Sequence, residues 1–288
     1  MSSGRSRIRR ARFYEGVART VLGLCTLVAI GSALFFIGYI FYRGARYISW
    51  EFLTENPLNA MTEGGIYPVI VGSAYLVFWT AVLALPIGIM AGIYLSEYAP
   101  KNRATRTIRL AIANMAGVPS IVYGLFGVAL FVIQIGLGRS IISGAATLAC
   151  LTLPVIITAT EEALRQIPTD LRQASLALGA TRLRTITRVV LPAAAPGIIT
   201  GSILGLSRAA GETAPILFTA VAFFAPIASG PLDETMALPY HIYIMATQST
   251  KDAPNMVWGS ALVLVTTVSL LNVVVALWRS AQRRKVRW

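Results

Sequence analysis

Histidine occurs once in these 288 residues, at His241, and cysteine twice, at Cys25 and Cys150. A single imidazole excludes a conventional His-rich metal centre. The two thiols lie inside apolar runs, read as packing residues, and make no disulfide framework. Charge is scarce as well: Asp, Glu, Lys and Arg together make up 13% of the chain, about half the usual share for a soluble domain. The sequence has no G-x-x-x-x-G-K-S/T loop, which excludes ATP hydrolysis by that route. It also lacks a nucleophile–base set and a pair of catalytic carboxylates. The chain is therefore expected to be no enzyme and to bind no cofactor. Any energy it uses must come from a partner or an ion gradient.

What the chain has in quantity is apolar sequence gathered into runs. Hydrophobic residues are 56% of the total and the mean hydropathy is +0.67. In hydrocarbon every backbone N–H and C=O must be paired within the segment, and runs of about 20 apolar residues select helices. The reading is an all-α integral membrane protein with six transmembrane helices at 17–42, 69–93, 108–136, 140–160, 194–224 and 257–278. The third and fifth exceed what a bilayer needs, so they tilt, kink or project. Pro86, Pro119 and Pro154 are the kink sites proposed. Arg5, Arg7, Arg9, Arg10 and Arg12 ahead of an apolar stretch resemble a signal peptide. That stretch runs from Val17 to Tyr42, too long for a cleaved segment, so a retained helix is expected.

The net charge is +13, which in a soluble protein would point to nucleic acid. Here the positions matter more than the sum. The N-terminus through Arg19 holds six arginines, and Lys101, Arg103, Arg106 and Arg109 follow span 2. Arg165, Arg172, Arg182, Arg184 and Arg188 follow span 4. The C-terminus holds Arg279, Arg283, Arg284, Lys285 and Arg287, which brings 20 of the 25 basic residues to one side. Glu51, Glu55, Glu63, Asp233, Glu234 and Asp252 fall on the other. The positive-inside rule then predicts cytoplasmic termini and an even number of spans, with membrane lipid and no nucleic acid as partner. Trp50, Trp258 and Trp278 stand near span ends, as interfacial aromatics do.

Residues 171–192, LRQASLALGATRLRTITRVVLP, are more than a connection between spans 4 and 5. Asp170 followed by Gln173 has the form of a capping box. Leu171, Ala174, Ala177 and Leu178 share a helical face with Arg172 turned away. Gly179 stops the helix, a second short helix starts near Thr181, and Pro192 falls in the first turn of span 5. Periodicity alone leaves two readings open: an amphipathic hairpin whose arginines meet lipid headgroups, or a docking surface for another protein.

The pattern Gln173-Ala174-Ser175, then Gly179, then Val189-x-Leu191-Pro192 resembles the EAA motif of ABC-importer permeases, in spacing throughout. Gln173 replaces the motif's acid and Ser175 its second alanine. PIGIMAGIYLSEYAPK at 86–101, NMAGVPSIVYGLFG at 114–127 and SRAAGETAPILFTA at 207–220 resemble the PstA-type permease subunit of the phosphate importer. The resemblance runs from about residue 65 to the C-terminus. It implies the type I importer permease (MetI-like) fold in a bacterial cytoplasmic membrane. The divisions are a basic N-terminus (1–16), a first helix with its outer loop (17–64), a permease domain (65–279) with a coupling loop at 161–192, and a basic tail (280–288). Asp170, Gln173, Ala174, Ser175, Gly179, Leu191 and Pro192 would then serve ATPase coupling. The implied partners are a second, PstC-type permease, two PstB-type subunits carrying ATP and Mg, and a PstS-type phosphate-binding protein.

Arg208 and Glu212 lie well inside the predicted fifth span. An Arg at the bilayer centre costs about 2.5–3.5 kcal/mol on insertion scales, so such residues face the bundle interior or a watery path. At i,i+4 they share a helical face and can pair. The pair is either a static lock between helices or an anion gate. In the gate, Arg208 offers a donor fork to phosphate oxygens and Glu212 holds it in the empty state. Gly197, Gly201 and Gly205 make a row that lets helices approach closely, on this chain or on the partner permease. Asn114 either lines the path or satisfies a kink. Leu238–Ala246 is too short to span and reads as an interfacial or re-entrant helix, with His241 as a loop residue. Two other readings remain: a permease for sulfate, molybdate or a phosphonate, and an ion-coupled anion carrier, which would leave the 165–191 loop unexplained.

Overall fold

The apolar runs become helices because no other arrangement pairs their backbone groups within one segment. The computed structural model describes residues 2–58, 61, 63–248 and 254–285. In chain order the helices begin with α1 (Ser2–Gly44), α2 (Trp50–Thr54) and α3 (Tyr67–Ile93), which is extended by a wide π turn, Tyr94–Tyr98. They continue with α4 (Arg103–Met115), α5 (Ser120–Gly127, extended by the π turn Val128–Gln134) and α6 (Ile141–Arg165). Next come α7 (Thr169–Ala177) and α8 (Arg182–Thr185), which a third π turn, Ile186–Val190, joins to α9 (Leu191–Ala210). Last are α10 (Ala214–Thr219), α11 (Leu238–Gln248) and α12 (Pro254–Lys285). A two-stranded hairpin, Pro57–Leu58 with Glu63–Gly64, follows α2. Asp252 and Arg287 lie outside the described residues.

Helix α6 is the centre of the bundle: 67% of its apolar window is buried, against none of α1's. Gly144 of α6 lies against Leu76 of α3, Ile156 against Gly88 and Thr160 against Gly92. That constant register makes α3 and α6 parallel. The chain must therefore cross back once between them, and α5 with its π turn is that crossing. Counting the bent α4–α5 pair as one span gives six, the number expected. Helix α9 runs antiparallel to α6, with Gly197 on Ala163 and Gly201 on Ala159. Helix α1 touches the bundle at its end, where Gly44 meets Trp258 and Leu262 of α12 and the Tyr39 ring stands edge-on to Trp258. Most of its apolar surface is left for lipid or another subunit.

Two predicted spans differ from the structure. The third is not continuous over 108–136: it turns by 100° between Met115 and Ser120. Pro119 has no N–H to continue the ladder, and Gly117 and Val118 bond back to the Asn114 and Met115 carbonyls in a tight turn. The arginines of α4, Arg103, Arg106 and Arg109, would be costly in hydrocarbon. The fifth is not continuous over 194–224 either. It ends at Ala210, because Gly211 and then Pro215 interrupt the ladder, and resumes as α10. Of the three proposed kinks only Pro119 breaks its helix, whereas α3 and α6 run on through Pro86 and Pro154. His241 is no loop residue. It lies in α11, 2% exposed, with both ring nitrogens unpaired among Met61, Met236, Tyr240 and Ile244. Cys25 is exposed on α1 and Cys150 half-buried, both free thiols.

Candidate functional site

The break in the fifth span changes the setting of Arg208 and Glu212. Arg208 occupies the last turn of α9, where the carbonyl end of the helix dipole favours a cation, and Glu212 stands beyond the helix in the Gly211–Thr213 break. They still meet, with Arg208 Nε 3.4 Å from Glu212 Oε1. Glu212 is 18% exposed and Arg208 54%, so the pair holds Arg208 through Nε while about half of its side chain stays uncovered. The two broken spans face each other here, with Gly124 of α5 against Ala214 and Pro215 of α10. Arg208 also lies within electrostatic range of the Tyr123 hydroxyl, which donates to the Met115 carbonyl at 2.8 Å across the first break. Asn114 is exposed beside that break and its carbonyl accepts from Gly117. The arrangement is a cation at a pair of interrupted helices, able to offer N–H donors to an anion.

The glycine row points inward, not toward a partner. A methyl group on Gly201 would overlap Ala159 of α6, one on Gly197 would lie 2.8 Å from Ala163 Cβ, and one on Gly205 would lie 3.4 Å from Ile156 Cγ1. These positions therefore face α6 of the same chain.

Helix α7 carries most of the residues expected to couple. Pro168 precedes it, and Asp170 sits inside the first turn with no capping bond, so the predicted capping box does not form. Gly179 has φ +82°, a left-handed conformation that suits glycine. Around it Ala180 N–H donates to the Ser175 carbonyl and Gly179 N–H to that of Leu176, a Schellman stop. The second helix is not separate: Arg182–Ala210 runs as one long helix, with Leu191 and Pro192 inside it and Thr181 capping its start through Arg184 N–H. Ser175 Oγ meets Thr185 Oγ1 at 2.9 Å and ties the two helices together. Gln173 and Ala174 are exposed and Leu178 is 90% exposed.

Arg172 is turned away from the face that Ala174, Ala177 and Leu178 expose, as expected, and the side it takes is that of the bundle. Its Nη2 pairs with Glu97 Oε1 at 3.0 Å and also donates to the Leu164 carbonyl, while Nη1 donates to that of Ile167. Glu161 of α6, 8% exposed, accepts from Arg109 Nε at 2.8 Å and from Arg165 Nη2 at 2.5 Å. Charge counting treats these arginines as topology signals and misses Glu97 and Glu161. The clue was available: few carboxylates stand on the basic side, and a carboxylate there has arginines to meet.

Residues 84–288 match the family described as binding-protein-dependent transport system inner membrane component. The chain belongs to this family. Curated relatives agree over nearly the whole length. A probable ABC transporter permease protein, YqgI, of Bacillus subtilis is 36% identical over 90% of this chain and 92% of its own. The phosphate transport system permease protein PstA 1 of Mycobacterium tuberculosis is 35% identical over 96% and 91%. Among solved structures, a chain of the inward-facing MetNI methionine ABC transporter superposes with TM-score 0.61 at 20% identity, covering 75% of this chain and 96% of that one. A chain of a bacterial alginate importer gives TM-score 0.61 at 14% identity over 96% and 100%. Those likenesses establish the type I importer permease fold. In this family member, α7 and the Arg208–Glu212 break both lie within the matched region, while α1 and the hairpin lie before it.

Proposed function

We propose that the chain is a permease subunit of an ATP-driven importer for inorganic phosphate. The observation that carries the substrate is the name shared by relatives of 33–35% identity from Mycobacterium tuberculosis, Methanocaldococcus jannaschii and Pasteurella multocida, each a phosphate transport system permease protein or probable one. Arg208 is the residue we assign to the anion. About half of its side chain is uncovered, Glu212 neutralises it when no anion is present, and the two helix breaks leave backbone groups free to exchange partners.

The charge bias supports cytoplasmic termini and a cytoplasmic α7. In that orientation the exposed Gln173, Ala174 and Leu178 face an ATP-binding subunit, one of two that hold ATP and Mg. A second permease completes the path, and a phosphate-binding protein delivers from the opposite side. ATP binding would close the ATPases, move α7 and turn the cavity outward. Hydrolysis would return it.

Labelled-phosphate uptake by cells expressing the chain with these partners tests the reading. ATP depletion should stop uptake and an ionophore should not; the reverse result would make the chain an ion-coupled carrier. Competition by sulfate, molybdate and a phosphonate separates phosphate from other oxyanions. Arg208→Gln should abolish uptake while the complex stays assembled, whereas loss of assembly would make the Arg208–Glu212 pair a structural lock.

A further inference from the structure

The π turn Tyr94–Tyr98 that closes α3 is held by arginines from three other elements. Arg109 of α4 donates through Nη2 to the Leu95 carbonyl at 2.8 Å. Arg182 of α8 donates to the Glu97 carbonyl and lies with its guanidinium 5.2 Å from the Tyr98 ring centroid. Arg172 of α7 takes the Glu97 carboxylate itself, which Ser96 Oγ also approaches at 3.3 Å. Helix α7 has no buried residue. Its bonds to the rest of the chain run through Ser175 to α8 and through Arg172, which joins the ends of both α3 and α6. Glu97 is 10% and Arg172 21% exposed, so the pair is poorly screened, and breaking one side leaves a charge without compensation.

We propose that Glu97 is a positioning residue for transport: through Arg172 it carries the motion of α7 into α3. Because α3 and α6 are parallel and joined along a shared register, a displacement received at Glu97 and at the Leu164 and Ile167 carbonyls moves both helices together. The proposal rests on the reading of α7 as the ATPase-coupling helix. It adds the point at which that helix's load enters the membrane domain.

The test uses the whole importer, reconstituted in proteoliposomes, and reads phosphate transported per ATP hydrolysed. Glu97→Gln keeps the shape and removes the charge. The expected result is an assembled complex that still hydrolyses ATP within about twofold of the parent, with transport per ATP reduced at least tenfold. Arg172→Gln should give the same loss, and the double variant no more than either single, since one pair is broken in all three. Arg172→Lys keeps the pair but gives up the fork to the two carbonyls, and should retain most of the ratio.

An unchanged ratio in Glu97→Gln overturns the proposal. So does loss of the assembled complex, which would make Glu97 a folding residue. A loss in Arg172→Lys as large as in Arg172→Gln would place the load on the carbonyls and overturn it too. Gly179→Val, run alongside, separates the two ideas. If it is uncoupled while Glu97→Gln is normal, the coupling role of α7 stands and Glu97 falls; if both are normal, both fall.

Discussion

Adding one methyl group at each position of the α9 glycine row gives three substitutions with one chemistry and three different outcomes. At Gly205 the methyl would stand 3.4 Å from Ile156 Cγ1 and 3.6 Å from Val155 Cγ1, ordinary contact with side chains that can adjust. At Gly197 it would stand 2.8 Å from Ala163 Cβ, and at Gly201 it would overlap Ala159 Cβ. An alanine Cβ cannot rotate away, so relief requires α9 to move off α6. The helix-propensity gain of Gly→Ala, about 1 kcal/mol, is common to all three and cancels in the comparison. What remains is overpacking of about 1–3 kcal/mol at Gly201, less at Gly197, and a slight gain at Gly205. The expected order of stability is Gly205→Ala, then Gly197→Ala, then Gly201→Ala. A spread of about 2 kcal/mol corresponds to roughly 4–8 °C in a chain of this class. Thermal unfolding of the purified importer in detergent, followed by tryptophan fluorescence, reads the order. Equal midpoints, or Gly205→Ala as the least stable, would refute the α6–α9 packing argument.

Two further outcomes follow from single residues. Gly179 has open space around its α-carbon but φ +82°, so any L side chain pays only conformational strain of about 1–2 kcal/mol. Gly179→Val should stop uptake while the chain still inserts, whereas Gly179→Asn, which tolerates that conformation, should keep most of it. His241 is neutral in the fold because burial lowers its pKa from 6.5 to about 4, and among the described residues no charged side chain lines its pocket. Above pH 6.5 folded and unfolded chains are both neutral there, and stability does not depend on this group. As pH falls below 6.5 the unfolded chain takes up a proton that the fold refuses. Stability should drop by about 2 kcal/mol by pH 5, and His241→Leu should lose that dependence. Parallel pH curves for both proteins would contradict the buried, uncharged assignment.

The helical class, five of the crossings (six with the bent α4–α5 pair counted as one) and the Gly179 turn were legible in the sequence because each follows from local chemistry. Apolar run length selects a spanning helix, charge bias counts the crossings, and a glycine after a helical face marks a stop. The Gln173–Pro192 motif was legible too, since its spacing, together with the blocks at 86–101, 114–127 and 207–220, carried the family resemblance. The breaks at Met115–Ser120 and Gly211–Thr213 were legible only in part: the third and fifth spans read as over-long and Pro119 as a kink site, but neither the 100° turn nor the Gly211–Thr213 position followed. Pro86, Pro119 and Pro154 look alike along the chain, and only packing decides which helix closes over its proline and which turns away.

The same limit applied to direction. Periodicity turns Arg172 away from the helix's apolar face without saying what it meets, and reads Gly197, Gly201 and Gly205 as close packing against a helix it does not name. The fold turns Arg172 onto Glu97, 75 residues earlier in the chain, and puts the glycines on α6. By itself the sequence determined that this is an all-helical, multi-pass membrane protein with an arginine-rich helical loop, because insertion and helix formation depend on stretches of about twenty residues. The tertiary structure alone decided which sequence-distant charges meet, since the Glu97–Arg172 and Arg109–Glu161 pairs exist only after packing has brought the ends of α3, α4, α6 and α7 to one place.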